Sequence, residues 1–248
     1  MFKRSLICLA FLGTMLTPAS ALDLSAMTDA EREAFREEVR AYLMENPQVI
    51  LDAVNSMEER QAAAQAVADV ERIAENAEAI FNDGFSYVGG NPDGDITVVE
   101  FLDYRCGFCK RAFGEIEQLL ENDGNIRLII KEFPILGEES VMASRYAIAT
   151  RQIAGGDAYK ALHDALMVYR GNITLQTLRR LASTLDLDTT AIEAQMDAPE
   201  VTAELRATRD LAQTLQISGT PTFVVETEML RGFLPFDQMQ ALVSELRG

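Results

Sequence analysis

Tryptophan is absent from this 248-residue sequence, histidine occurs once and cysteine three times. Cations are scarce as well: 22 Lys and Arg stand against 39 Asp and Glu, for a net charge of −17. A nucleic-acid binder needs clustered Lys and Arg on phosphate, so that class is excluded, and docking to anionic lipid is disfavoured. Past the N-terminus no run approaches the ~20 apolar residues of a membrane-spanning helix. What is abundant is apolar side chain, 48% of the residues, enough for the core of one large domain with an appendage.

Lys3 and Arg4 precede an apolar run over 5–16, and Pro18 leads into Ala19-Ser20-Ala21, the small-x-small pattern of signal peptidase. Residues 1–21 are therefore expected to be a cleaved secretory signal peptide, and the mature protein to be periplasmic. Cleavage removes two cations and Cys8, leaving a more acidic chain whose cysteines are Cys106 and Cys109. A disulfide between residues so close restricts the unfolded chain little. Zinc needs two further ligands, and there is only His163 and no second Cys pair. No metal and no cofactor is expected. The pair reads as reactive.

Residues 22–84 read as a helical stalk. After the N-cap candidates Thr28 and Asp29, Phe35, Val39, Tyr42 and Leu43 form an apolar stripe. Asn46-Pro47 breaks it, and a glycine-free helical stretch over 47–81 carries Ile50, Val54, Met57, Gln61, Ala64 and Ala68 at alternating steps of four and three. A narrow stripe on a long polar rod predicts self-association. Residues 85–248 have a different rhythm. A short strand is expected at 85–88, a turn cluster at 89–94, a strand buried on both faces at 96–102, a helix from Arg105 and a second buried strand at 126–133. No strand pattern occurs over about 138–215; strands return at 222–225 and 229–231, before a closing helix at 236–246. Two β-halves with helices inserted between them make an α/β layer fold.

Cys106 opens the helix that follows the first buried strand, where unpaired N–H groups and the helix dipole stabilise a thiolate. Cys109, one turn later, is placed to resolve a mixed disulfide. Gly107-Phe108 separates the two, and Lys110 and Arg111 add positive potential. C-x-x-C alone is a weak signal; between a buried strand and a helix, in a βαβ unit, it is a strong one. Glu100 is out of place in its apolar strand, and Lys131 sits comparably late in the next. The two are expected to pair beneath the cysteines, as a structural ion pair or with Glu100 as a proton relay for Cys109. Gly219-Thr220-Pro221 directly before a strand makes Pro221 a candidate cis-proline. His163 reads as an ordinary residue of the inserted helices.

The segment Glu100-Phe101-Leu102-Asp103-Tyr104-Arg105-Cys106-Gly107-Phe108-Cys109-Lys110 resembles the active site of DsbA-family thiol–disulfide oxidoreductases. Lys131-Glu132-Phe133-Pro134-Ile135-Leu136-Gly137 and Gly219-Thr220-Pro221-Thr222-Phe223 resemble that family's later landmarks. The resemblance covers about residues 85–247. It implies a thioredoxin fold with an inserted helical subdomain, a cis peptide at Thr220-Pro221, Cys106 as nucleophile, and a cis-proline loop that hydrogen-bonds an extended substrate. The N-terminal helices, with Tyr42-Leu43-Met44-Glu45-Asn46-Pro47, resemble the ScsC branch, which is linked to copper tolerance. Some members of that branch trimerise through this segment and act as isomerases.

The expected protein is thus an exported disulfide isomerase, with an N-terminal helical oligomerisation stalk (22–84) and a catalytic domain (85–248). Its catalytic candidates are Cys106, Cys109, Glu100 and Lys131; Gly107, Phe108, Thr220 and Pro221 are the substrate-binding candidates. Its expected partners are cysteine-containing protein substrates, a membrane redox partner and two further copies of itself, with no nucleic acid. Gly107-Phe108 stands where the DsbA archetype has Pro-His, a departure in the residues that set oxidising strength. The alternatives are a monomeric DsbA-like oxidase, and a copper-binding or holdase protein whose cysteines act as a switch.

Overall fold

The computed structural model describes residues 26–248, and the expected signal peptide lies outside the described residues. The chain divides into two units after Glu59. In the first, α1 (Asp29–Glu45) starts from a capping box: the Glu31 amide donates to Thr28 Oγ1 at 3.3 Å and the Thr28 amide to Glu31 Oε2 at 2.8 Å. The cap satisfies amides that the first helical turn leaves unpaired. Pro47, which cannot continue α1, precedes α2 (Gln48–Glu75). No residue of α1 is buried, and Phe35, Val39, Tyr42, Ile50, Leu51, Val54 and Met57 are exposed.

In the second unit, helix stops at Asn76 instead of continuing to residue 81 as expected. The Asn76 side-chain amide and backbone N–H both donate to the Arg72 carbonyl, closing α2, and α3 (Ala77–Phe81) is a separate turn. The chain then reverses on Asp83, whose carboxylate accepts from the Phe85 and Ser86 amides. Strand β1 (Tyr87–Gly90) therefore begins two residues after the expected position. Gly90, at φ 63°, ends it so close to the next strand that a Cβ would meet the Ile126 carbonyl oxygen at 2.4 Å.

The remaining elements are β2 (Ile96–Leu102), α4 (Gly107–Asn122), β3 (Ile126–Glu132), α5 (Glu138–Ala154), α6 (Gly156–Val168), α7 (Leu175–Thr184), α8 (Thr189–Gln195), α9 (Pro199–Thr214), β4 (Thr222–Val225), β5 (Glu228–Arg231) and α10 (Phe236–Arg247). They build a five-stranded sheet in the order β1-β3-β2-β4-β5, with β2 and β3 parallel and the other pairs antiparallel. This mixed sheet, crossed over by α4 and carrying five helices between β3 and β4, is a thioredoxin fold of DsbA type.

Strand alternation divides the core. Val98, Leu102, Leu128, Ile130, Phe223 and Val225 belong to a cluster with α4, α5, α6 and α10. Val99, Phe101, Ile129 and Val224 belong to another with Ile73, Ile80, Leu211 and Leu215. Every site residue on β2 or β3 is assigned to one face or the other by this parity.

Candidate active site

Helix α4 is amphipathic, with Cys109, Ala112, Ile116 and Leu119 buried at steps of three and four. Cys109 is thus the first member of a core stripe and has no exposed surface. Cys106 lies one residue before the helix, as its N-cap, and not in its first turn as expected. Its sulfur takes the place of a capping oxygen, 3.4 Å from the Cys109 amide. As a thiol it donates to the Thr220 carbonyl at 3.1 Å.

The amide contact favours the anion, and the thiol loses its bond to the Thr220 carbonyl on ionising. The Cys109 thiol, the Thr220 side chain and the Cys109 and Phe108 amides outweigh burial and draw Cys106 down to about 5. Burial pushes Cys109 far up. One sulfur is therefore a thiolate at neutrality and its neighbour a thiol.

The Thr220-Pro221 peptide is cis. Ser218, Gly219, Thr220, Pro221, Arg231 and Gly232 line a depression of about 210 Å³. Gly107 and Phe108 are exposed between the cysteines, so both candidate substrate-contacting pairs border the sulfur.

Glu100 and Lys131 do not pair. The β2–β3 register sets Glu100 opposite Ile130 and Lys131 opposite Phe101, so the two side chains leave opposite faces of the sheet. Lys131 Nζ binds Asp83 Oδ2 at 2.6 Å and the Ala79 carbonyl at 2.9 Å. Glu100 faces α4 and the cysteines, with Oε1 buried and without a hydrogen-bond partner. Burial, followed by the charge of Cys106, raises it to about 8.

A polar frame around the cysteines was not foreseen from the sequence. Buried Asp103 accepts from the Arg105, Ile135 and Leu136 amides at 2.7, 2.8 and 3.0 Å and from Ser140 Oγ at 2.8 Å. It ties the segment before Cys106 to the chain after β3. Next to it, Tyr104 and Tyr159 both donate to Glu132 Oε1 at 2.7 Å, and Ser144 donates to Oε2 at 2.7 Å. Burial lifts Glu132 to about 7. His163 lies in this frame, Nδ1 3.2 Å from Tyr104 Oη, and burial depresses it to about 3. The one sequence signal was Glu132 itself, a carboxylate ending a buried strand. Among the described residues no group of three or more His, Cys, Asp or Glu is arranged to hold a metal ion.

A dithiol at a helix N-cap, facing a cis-proline just before a neighbouring strand, defines a thioredoxin-fold redox site. Residues 97–244 match the DsbA-like thioredoxin domain and residues 31–64 the copper resistance protein ScsC N-terminal domain. The chain belongs to the DsbA-like thioredoxin domain family, in its ScsC-like branch.

Among solved structures, a thioredoxin-like oxidoreductase from Silicibacter pomeroyi is 44% identical, with a TM-score of 0.65, covering 68% of this chain and 96% of that one. Salmonella enterica Typhimurium BcfH is 26% identical with a TM-score of 0.73, over 88% and 97%. Among curated relatives, disulfide bond formation protein D of Bacillus subtilis is 25% identical over 64% of this chain and 76% of its own length. A Na(+)/H(+) antiporter NhaA from Salinispora tropica is 27% identical over 63% of this chain, but the match spans only 24% of the antiporter.

Proposed function

We propose that this chain is an exported thiol–disulfide oxidoreductase that reshuffles disulfides in cysteine-containing client proteins. The observation that carries the reading is the unequal pair: a stabilised thiolate at Cys106, in contact with the cis-proline loop, and a buried thiol at Cys109. Cys106 attacks one sulfur of a client disulfide. The Cys106–client bond forms, the client S–S bond breaks, and the released client thiolate takes a proton from water. In isomerisation another client thiol then attacks, Cys106 leaves as thiolate, and no net oxidation occurs. In reduction Cys109 gives up its proton and attacks Cys106; the pair is oxidised by two electrons as the client disulfide is reduced by two. Glu100 serves as the proton relay for Cys109, and Gly107, Phe108, Thr220 and Pro221 hold the client strand. Lys131, on the other face of the sheet, has no part in these steps.

The isomerase direction draws support from α1 and the start of α2. Their exposed apolar side chains call for cover, and a trimer built through them would surround a client with several sites. Export through the 1–21 leader and a membrane redox partner that keeps the pair reduced complete the proposal. A second reading, a monomeric oxidase, is favoured by the stabilised Cys106 thiolate. Stabilising the reduced form makes the disulfide a stronger oxidant.

Light scattering on the mature chain, run beside refolding of a scrambled disulfide protein, separates the two. A trimer that restores native pairing supports the isomerase, and a monomer that only donates its disulfide overturns it.

A further inference from the structure

Beside the cysteines of this acidic chain stand Lys110, Arg111 and Arg170, which among the described residues form no salt bridge with a carboxylate. Lys110 Nζ and Arg170 Nη1 both donate to the Tyr169 carbonyl, the second at 3.4 Å, and Arg170 also donates to the Met167 carbonyl at 2.7 Å. The Arg111 guanidinium lies 4.1 Å from the centre of the exposed Phe108 ring, between the two cysteines in sequence, and 5.6 Å from that of Phe233.

Nearby carboxylates are engaged elsewhere. Asp103 is turned inward to three amides and Ser140, Glu115 accepts from the Phe236 amide at 2.7 Å, and Glu139 pairs with Arg105 at 3.2 Å. Two cations sharing one neutral carbonyl repel each other without a counter-charge between them. Burial, then the charges of Arg170 and Arg105, hold Lys110 below the ordinary lysine range and outweigh the opposing charge of Asp103. Such an arrangement is relieved by an anion supplied from outside.

We propose that Lys110, Arg111 and Arg170 form a specificity rim that favours client polypeptides with Asp or Glu beside the reactive cysteine. The inference rests on the thiol–disulfide reading above and adds the class of client. Attraction across water is long-ranged at low salt and collapses once the Debye length falls to ~3–5 Å. Field focusing by a few charges raises encounter rates by about tenfold or more.

The test uses the pre-reduced mature chain and three matched peptides, each with one intramolecular disulfide flanked by acidic, neutral or basic residues. Each rate of oxidation of the Cys106–Cys109 pair is divided by that peptide's rate with a neutral small-molecule dithiol, which removes intrinsic reactivity. The acidic peptide is expected to react about tenfold faster than the basic one near ~0.1 M salt, where a Debye length of ~10 Å screens the chain's distant negative charge but not the rim, with the preference falling below about twofold near ~1 M salt. Arg170→Glu should shrink or invert that order. Equal normalised rates, a basic-first order or a preference indifferent to salt would overturn the rim. If no peptide oxidises the chain, the thiol–disulfide reading falls first and takes the rim with it.

Discussion

The depressed Cys106 thiol makes a prediction that runs against intuition at neutral pH. Moving a thiol from 9.0 to about 5 raises its thiolate fraction near pH 7 about a hundredfold. Nucleophilicity falls as the thiol becomes more acidic, with a slope of ~0.4–0.5, and that costs about 40- to 100-fold. The net gain near neutrality is therefore only about one- to threefold. Near pH 5 the balance changes: about half of Cys106 is thiolate where an ordinary thiol has ~10⁻⁴, a net advantage of about 50- to 125-fold.

The assay is the pH profile of alkylation of the reduced protein by iodoacetamide, read beside the ultraviolet absorbance of the thiolate. A single inflection near pH 5 is expected, with Cys109 silent because burial holds it as a thiol. Cys109→Ala removes the contact that contributes most to the shift and should move the inflection upward. A rate that climbs to pH 9 with no acid inflection refutes the proposed cap geometry.

Three further outcomes follow from the same contacts. Cys109→Ser should accumulate mixed disulfides with clients, visible on non-reducing gels, since the resolving sulfur is gone; absence of any adduct would unseat Cys106 as the attacking group. Glu100 is raised in the folded state, so folding holds its proton between pH 4.5 and about 8, and its contribution to stability declines as pH rises through that window. Glu100→Gln should match the wild type near pH 4 and exceed it by a few kcal/mol above pH 8 in denaturant melts; a constant difference across pH would refute this. Lys131→Met breaks a buried ion pair with Asp83 and should cost about 3 kcal/mol, while leaving the Cys106 alkylation profile unmoved; a shifted profile would return Lys131 to the site.

Local pattern made much of the fold legible. The apolar runs at 96–102 and 126–133 foretold β2 and β3 because strands buried on both faces need no polar alternation. The position of Cys109 follows from the helical stripe it begins. Pairing across the sheet was hidden, because Glu100 and Lys131 occupy similar places in their strands and differ by a single step of register. One step reverses the face, and no sequence rule reveals it. Tyr104, Glu132, Tyr159 and His163 were illegible for another reason: Tyr104 and Glu132 lie 28 residues apart, and Tyr104 and His163 lie 59 apart. Only the folded insertion brings them together.

That single step of register also decides the chemistry open to Glu100. Had Lys131 emerged on the cysteine face, its ammonium would have stabilised Glu100 as a carboxylate of low proton affinity, a weak acceptor for the Cys109 proton. Instead Asp83 engages the ammonium on the opposite face, and Glu100 is left among apolar neighbours with the negative sulfur of Cys106 as its main charged influence. Its proton is then held loosely enough to be exchanged near neutrality, as a general acid–base group requires. Cys109 can only attack after losing a proton, in a setting where burial opposes the thiolate. In the proposed relay, Glu100 is neutral while Cys106 is a thiolate and ionises more readily once the mixed disulfide has removed that charge. Strand parity, not the ion pair, keeps the lysine off the cysteine face; Asp83 only satisfies it where parity places it.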